Sequence, residues 1–569
     1  MSLEIAVRLL HHTSGAKIEV PEGGIVVFVG PNNAGKSLSL REIHMHITSP
    51  NPAEPFRSIT AIESRKVGDL ADLDEWLRAT CKVGRQSGTE VFYRYGNQVQ
   101  SNQASSWWPS GPPFYQLGNF FALYLGAGSA ASAANQALSY NLLTETPTQP
   151  LQYLFADGAL ENRLSDVVTR AFGRGVVLNR FGGSQLTLHV GSPPGQFVTN
   201  GPPPPEYLEA MATMPLMQNQ SDGVRSFVGL LLNVMAAPFQ FILLDEPDAF
   251  LHPPQAELMG RLLGELKAAN TQLFIATHDA NLLRGLLNTS DIPLTVVRLD
   301  RRADIPTCSQ LAPGDLQVLW QDPILRYSNL LEGLFHSGTI ICEGDADCRF
   351  YSSVIDVLSA ERNSAHNLLF SHAGGKHRMR TAVKALKAVA VPVAAIADFD
   401  ILQDEEVVRP LLEALGGDWA SCADDWTILA AAMTSMRQAP TTEHVREAAV
   451  TYLDGVTTQR LERRDEERLR QIIRTQTGWE IAKQGGMSAV PGGEVMTAGQ
   501  RLLAKLSESG LFVVPVGELE RFVPEVPGKG PAWVTEVHAR RLHEAPTLSA
   551  RQFVDSVWQF TSLEQSTTN

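Results

Sequence analysis

The stretch Gly30-Pro31-Asn32-Asn33-Ala34-Gly35-Lys36-Ser37 fits the pattern G-x-x-x-x-G-K-[ST] at every position. The apolar run Gly24 to Val29 before it reads as a buried strand, and Leu38 to Ile47 after it reads as a helix. Strand, glycine loop and helix, in that order, bring backbone N–H groups and a helix N-terminus onto phosphate oxygens. In this reading Gly30, Asn32, Asn33 and Gly35 wrap the phosphates of ATP. Lys36 reaches the β- and γ-phosphates, and the Ser37 hydroxyl ligates Mg2+.

Outward from the loop, residues 3–9 and 16–20 read as the strands of an opening hairpin. On the C-terminal side the next strong signal is Phe241-Ile242-Leu243-Leu244-Asp245-Glu246-Pro247, four apolar residues of a buried strand followed by two carboxylates. Open α/β sheets bind their ligands at that end of the strands. Asp245 would hold Mg2+, and Glu246 would polarise the attacking water as a general base. Leu251-His252-Pro253 follows. Gln272 to Thr277 then reads as another strand, ending at His278, a candidate contact for the γ-phosphate. Ile292 to Leu299 reads as the last strand of the first domain. Residues 50 to about 215 are expected to form an irregular insertion, with a strand over Phe120 to Leu125 and a helix beginning near Glu206. The proline-rich runs Ser192 to Gly195 and Gly201 to Pro205 exclude regular helix and central strand.

The set Gly30–Ser37, Asp245-Glu246-Pro247, Leu251-His252-Pro253 and Thr277-His278 resembles the ABC-type ATPases of the SMC and DNA-repair kind, with their bacterial AAA-type relatives. In that family a signature segment lies shortly before the Asp-Glu strand and contacts the γ-phosphate held by the other subunit. The matching stretch here begins Gln220-Ser221-Asp222-Gly223-Val224-Arg225. It keeps Ser221 and Gly223, with Asp222 where a glycine is usual. The resemblance implies ATP sandwiched between two heads, hence a homodimer or higher oligomer.

A new α/β unit is expected from about residue 336. Thr339 to Cys342 reads as a strand ending at Glu343, and Asp347 lies near the start of a helix over Cys348 to Leu358. Val391 to Ala397 reads as a second strand, ending at Asp398-Phe399-Asp400, where both carboxylates of an extended chain point the same way. Between them lies Gly374-Gly375-Lys376, leading into a basic helix. Carboxylates converging at strand ends repel unless hard cations neutralise them. With only oxygen ligands on offer, Mg2+ or Mn2+ is the natural choice, and two such ions clamp the attacking and leaving oxygens of a phosphodiester.

This second set resembles the Toprim domain of topoisomerases, primases and OLD-family nucleases. Asp398-Phe399-Asp400-Ile401-Leu402 looks especially like the OLD type, as does Leu511 to Glu520, another apolar strand ending in carboxylates. The resemblance implies Glu343, Asp347, Asp398, Asp400 and Glu520 as metal ligands, and Lys529 as the late catalytic lysine. Residues 420–485 are expected to form a helical insertion, and its charge-alternating run Arg460 to Arg474 to be a solvated helix face.

The fold class that follows is α/β: an ABC-type P-loop ATPase domain over 1–335, then a Toprim domain over 336–569. That order is the arrangement of OLD-family nucleases, which implies ATP-dependent, Mg2+-dependent cleavage of DNA or RNA. Gabija-type and PARIS-type anti-phage proteins are related, which implies a phage-encoded trigger or a second defence protein as partner. The alternatives are a fused PARIS-type sensor–effector that cuts RNA, and a non-nucleolytic ATP-dependent scaffold or repair motor. The chain has 569 residues, enough for two or three domains, and a net charge of −14, which offers nucleic acid no global attraction. Its five cysteines form no C-x-x-C pair, which suits a reducing, cytoplasmic location. No apolar run approaches the length of a membrane span, and the first residues lack the features of a signal peptide.

Overall fold

The computed structural model describes residues 3–49, 55–126, 128–195, 203–236, 239–289, 292–302, 305–311, 329–458 and 460–563. The chain divides into two compact units, Met1–Trp320 and Gln321–Asn569.

In the first unit, β1 (Glu4–His12) pairs with β2 (Lys17–Glu19), and β3 (Ile25–Val29) leads into the glycine loop and α1 (Lys36–Thr48). Strand β4 (Ile59–Val67) returns to β1, so that a three-stranded sheet runs β2-β1-β4. Strand β5 (Ala122–Leu125), helix α2 (Asp222–Ala236), strand β6 (Phe241–Asp245), helix α3 (Pro253–Leu266), strand β7 (Gln272–Ala276), helix α4 (Ala280–Leu287) and the strands β8 (Leu294–Arg302) and β9 (Ile305–Leu311) complete the nucleotide-fold frame. The six-stranded sheet runs β9-β8-β3-β7-β6-β5. All its pairings are parallel except β8 with β9. Strands β3 and β7 are buried at every residue, which is why β3, and β7 after Gln272, read as unbroken apolar runs rather than as alternations. Their common direction brings the residues after Val29, Asp245 and Ala276 to one edge of the sheet. Gln272 ties the two sheets together: its amide accepts from Val7 N at 2.8 Å and donates to Val7 O at 2.8 Å and Pro21 O at 3.0 Å.

The stretch expected to be irregular contains regular structure. Lys82–Gln86, Thr89–Arg94 and Asn97–Gln100 form one antiparallel sheet, and Ala137–Leu138, Gln185–Val190 and Val176–Asn179 another. The first is built from two-residue hairpins. Ser87 and Gly88 have φ of 50° and 86°, and Tyr95 and Gly96 have 48° and 75°, the positive pairs of turns that match strand twist. The strand expected over Phe120 to Leu125 is shorter, because Gly118–Phe121 forms a helical turn. Of the two proline-rich runs, Gly201 and Pro202 lie outside the described residues. The helix expected near Glu206 is Pro205–Thr213.

In the second unit, β10 (Gly338–Cys342), α5 (Asp345–Arg362), β11 (Leu368–His372), α6 (Lys376–Ala388) and β12 (Val393–Ala397) alternate strictly. Helices α7 (Glu405–Leu415), α8 (Ala423–Ser435), α9 (Thr442–Asp454), α10 (Arg463–Ile473), α11 (Gly478–Gly485) and α12 (Glu494–Glu508) precede strand β13 (Leu511–Val513), and α13 (Gly530–Ala539) and α14 (Leu548–Leu563) close the chain. The sheet runs β11-β10-β12-β13, parallel throughout. The chain winds to one side of β10 and then to the other, so the β10/β12 junction is a switch point with a crevice at its C-terminal edge. Helix α5 covers the sheet through Phe350 and Tyr351, which meet Phe522, Trp533 and Phe553 in an aromatic core. The charge-alternating run becomes α10, with i,i+4 pairs Arg463–Glu467 at 3.3 Å and Arg470–Glu466 at 2.6 Å. Among the described residues no helix is long and apolar enough to cross a membrane.

Candidate active sites

In the first unit the glycine loop has the backbone that its pattern demands. Gly30 has φ 142°, and a Cβ there would lie 2.0 Å from Leu299 O of β8, so no other residue fits. Asn33 and Gly35, at φ 66° and 97°, turn the chain back to start α1, while Asn32 is exposed beside them. Lys36 Nζ donates to Gly30 O at 2.8 Å and Pro31 O at 2.9 Å, spanning the mouth of its own loop. Burial lowers the Lys36 ammonium, and the charges of Glu246, Asp245 and Asp248 oppose that shift. Ser37 Oγ donates to Asp245 Oδ1 at 2.8 Å. A hydroxyl from the loop and a carboxylate from β6 thus meet where a hard cation with oxygen ligands fits.

Two further groups sit at this edge that sequence reasoning did not single out. Tyr124 of β5 donates its hydroxyl to Asp245 Oδ2 at 2.9 Å, and burial with the Asp245 charge pushes that phenol up. Asp248 is buried and accepts from Thr277 Oγ1 at 2.6 Å; burial raises its carboxyl. The signal for Asp248 was its place in Asp-Glu-Pro-Asp. Tyr124 left none beyond its short apolar strand. Glu246 adopts φ 53°, a left-handed conformation that costs about 1–2 kcal/mol for a non-glycine residue. Its N–H donates to Ala276 O at 2.9 Å, which continues the parallel pairing of β6 with β7 past Asp245. His278 Nδ1 lies 3.6 Å from Glu246 Oε1 and 3.9 Å from Asp248 Oδ2. The edge therefore gathers Lys36, Ser37, Asp245, Glu246 and His278. Gly223 packs against the segment that follows Glu246: a Cβ on it would meet Phe250 O at 2.5 Å, so it serves the close approach of α2 to that segment. Ser221 is exposed just before α2.

In the second unit the acidic residues flank the switch point. Glu343 follows β10 and accepts from Asp398 N at 3.1 Å, linking the ends of β10 and β12. Burial, then the charges of Asp400 and Asp347, pushes the Glu343 carboxyl up to about 7. Asp398 is pushed up to about 8 by burial and then by Glu343 and Asp347. Asp347, whose Oδ2 accepts from Gly344 N at 2.8 Å, is pushed up to about 6 by burial and the charge of Glu520. Asp400 differs. Burial works against its carboxylate, but Lys483 and Lys376 outweigh burial and hold it below the ordinary range. Lys483 Nζ lies 2.7 Å from Asp400 Oδ2, and Lys376 Nζ lies 3.3 Å from Oδ1. Sequence reasoning did not single out Lys483, 83 residues away on α11.

Glu520 Oε1 accepts from Gly530 N at 2.7 Å at the start of α13. Lys529, mostly solvent-exposed, pairs with the buried Glu518. Among the described residues no three acidic, histidine or cysteine side chains converge closely enough to chelate an ion as they stand. The donor chemistry nevertheless fits a hard cation. All the candidate ligands are carboxylates, and burial and mutual repulsion push three of them up. Mg2+ ordinarily uses one or two protein carboxylates and keeps several waters.

Two family models match the sequence. One, described as "AAA domain, putative AbiEii toxin, Type IV TA system", covers residues 214–284. The other, described as "Overcoming lysogenization defect protein-like, TOPRIM domain", covers residues 334–400. The chain carries an AAA-type ATPase domain followed by an OLD-like TOPRIM domain. The ATPase match spans Asp245, Glu246 and His278, and the TOPRIM match spans Glu343, Asp347, Asp398 and Asp400. No curated protein matches the sequence. Among solved structures, an SMC head bound to the C-winged helix domain of ScpA is 12% identical, covering 56% of this chain and 100% of its own, with a TM-score of 0.34. The SMC head domain from Thermotoga maritima is 16% identical, covering 55% and 100%, with a TM-score of 0.29. The Smc head domain with an extended coiled coil from Pyrococcus furiosus is 10% identical, covering 56% and 99%, with a TM-score of 0.32.

Proposed function

We propose that this ATPase–TOPRIM chain hydrolyses ATP in its first unit and cuts nucleic acid, DNA or RNA, in its second, as a cytoplasmic agent of anti-phage defence. The observation that carries the nuclease half is the pairing of Glu343 with the Asp398 backbone across the switch point, with both carboxyls pushed up to about 7 and about 8. A buried acidic pair of this kind calls for a cation. Mg2+ or Mn2+ bound there would polarise the scissile phosphate, and Asp347 and Glu520 would hold its waters. Lys529 would then place positive charge near the leaving oxygen.

In the first unit Lys36 would bind the β- and γ-phosphates, Ser37 and Asp245 would hold Mg2+, and Glu246 with His278 would orient the attacking water. Ser221 and Gly223 would face nucleotide held by a second copy, which makes a homodimer or higher oligomer the working state. A phage-encoded trigger or a second defence protein is the partner class that this reading requires. The competing scaffold reading draws on one observation, that no three potential ligands converge among the described residues. Incubating the purified protein with plasmid DNA, phage DNA and tRNA separates the two readings, with Mg2+ or Mn2+ and with or without ATP. Metal-dependent cleavage of any substrate supports the nuclease reading. Intact substrate under every condition, with ATP turnover retained, supports the scaffold.

A further inference from the structure

The Asp245 carboxylate is gripped at both oxygens. Ser37 Oγ donates to Oδ1 at 2.8 Å, and Tyr124 Oη donates to Oδ2 at 2.9 Å. The two donors come from separate elements. Ser37 lies in the first turn of α1, and Tyr124 stands in β5, the edge strand of the sheet. Both are neutral, so they orient the carboxylate without neutralising it.

The strand register explains how a residue at 124 reaches this carboxylate. Strand β5 runs parallel to β6, with Tyr124 opposite Leu243. Side chains alternate along a strand, so Tyr124, Leu243 and Asp245 share one face of the sheet. The ring packs on the core cluster that contains Leu243 and Phe274, and the His44 ring of α1 stands 5.8 Å from it between centroids. Apolar neighbours thus fix the ring, and its one polar atom is aimed at Asp245. A phenylalanine would satisfy the packing. The hydroxyl, costly to cover without a partner, is accounted for only by the anion in front of it.

The two grips differ in what they leave free. The terminal torsion of an aspartate is broad and nearly two-fold, so a carboxylate held at one oxygen can still turn. Ser37 is itself read as a ligand of the cation. Tyr124 holds the other oxygen and has no second task.

We propose that Tyr124 is a positioning residue of the nucleotide site: its hydrogen bond to Oδ2 holds Asp245 in the orientation that receives the nucleotide's divalent cation, while Tyr124 touches neither cation nor nucleotide. The inference rests on the ATP reading of the first unit and adds to it a residue that lies outside the nucleotide-binding motifs. Groups that orient a metal ligand from behind ordinarily set about 10–100-fold in metal affinity. An orienting role also discriminates between cations. Mg2+ demands near-octahedral geometry, whereas Ca2+ accepts a flexible shell.

Fluorescence titration of the full-length protein with a labelled, non-hydrolysable ATP analogue, in Mg2+, in Ca2+ and in EDTA, tests this. The ratio of the dissociation constant in EDTA to that in each cation measures what the cation adds. Tyr124→Phe is expected to keep the EDTA constant within about twofold of wild type, to lower the Mg2+ ratio about tenfold, and to lower the Ca2+ ratio less. Asp245→Asn, the comparator, is expected to lower both ratios. An unchanged Mg2+ ratio in Tyr124→Phe, with the ratio lost in Asp245→Asn, overturns the role of Tyr124 and leaves the ATP reading standing. Parallel weakening in EDTA and Mg2+ overturns it too, because it marks a general loosening of the site. So does an equal loss with Mg2+ and Ca2+, which marks a charge effect rather than an orienting one. No binding of the analogue by wild type, or a Mg2+ ratio that survives Asp245→Asn, overturns the ATP reading as well.

Discussion

Glu343 and Asp398 show at the residue scale how burial tunes a site. Both are acids raised above their unfolded values, to about 7 and about 8. The folded state therefore keeps protons that the unfolded chain has released. That contribution to stability is fully present below the unfolded value near 4, and it is lost as pH rises through 7 and 8. In EDTA, Glu343→Gln with Asp398→Asn should be more stable than wild type at pH 8.5, on the order of a few kcal/mol, with the gap closing toward pH 5. Thermal melts followed by circular dichroism across that range check it, and parallel curves for the two proteins would refute it. In the first unit, the hydrogen bonds given for the Lys36 ammonium among the described residues go to carbonyls of its own loop. Lys36→Ala is therefore expected to abolish ATP hydrolysis with a melting temperature within a few degrees of wild type. Glu246→Gln should still bind ATP but not turn it over, and so trap an ATP-dependent dimer visible by size exclusion. Wild-type turnover in either variant removes the assignment.

At the scale of elements, what could be read from sequence follows burial. Strands β3, β6 and β7 are largely apolar runs ended by Gly30, by Asp245 and by Thr277-His278, so their ends, and with them most of the nucleotide edge, were legible. The same holds for β10 and β12, which carry Glu343 and Asp398. Strand β9 was not legible. Pro306 and the polar residues after it argue against a central strand, and β9 is an edge strand that pairs only with β8, where proline is tolerated. The short hairpins between residues 82 and 100 rest on left-handed Ser87 and Tyr95; Ser87-Gly88 is a turn dipeptide, but Tyr95-Gly96 is not, and the flanking strands are short and polar. Lys483 was hidden for another reason: its partner Asp400 is distant in sequence, and only tertiary packing of α11 brings them together. Glu42 illustrates the same limit. In helical spacing it is one more polar residue of α1, yet it is buried and accepts from Arg57 N, Ser58 N and Ile59 N at 2.7, 2.9 and 2.6 Å. Glu42→Ala orphans three backbone donors at the entry to β4. It should cost about 2–4 kcal/mol of stability, read from urea unfolding.

At the scale of the whole molecule, the two chemistries belong to different compact units, and that separation predicts how they fail. Asp398 and Asp400 lie in Gln321–Asn569, whereas Lys36, Asp245 and Glu246 lie in Met1–Trp320. Asp398→Ala with Asp400→Ala is expected to eliminate metal-dependent strand cleavage while most ATP hydrolysis remains. Asp398 would be lost as a ligand of the ion, which supplies several kcal/mol of transition-state stabilisation. Loss of Asp400 would release Lys376 and Lys483, which it positions at 3.3 and 2.7 Å. The fold should survive, because Asp398 is a buried acid whose ionisation opposes folding and because the lysines that Asp400 leaves behind reach solvent. Glu343→Ala should copy the cleavage defect, since it removes the other carboxylate of the pair. Glu520→Ala should do so more weakly, because Glu520 acts on Asp347 through charge and is itself held by Gly530 N. Cleavage and ATPase rates measured side by side on each variant decide the point. Wild-type cutting by the double variant would place the metal elsewhere. A collapse of ATP hydrolysis together with cleavage would mean that the TOPRIM carboxylates are energetically coupled to the nucleotide edge, and that neither unit works as an independent engine.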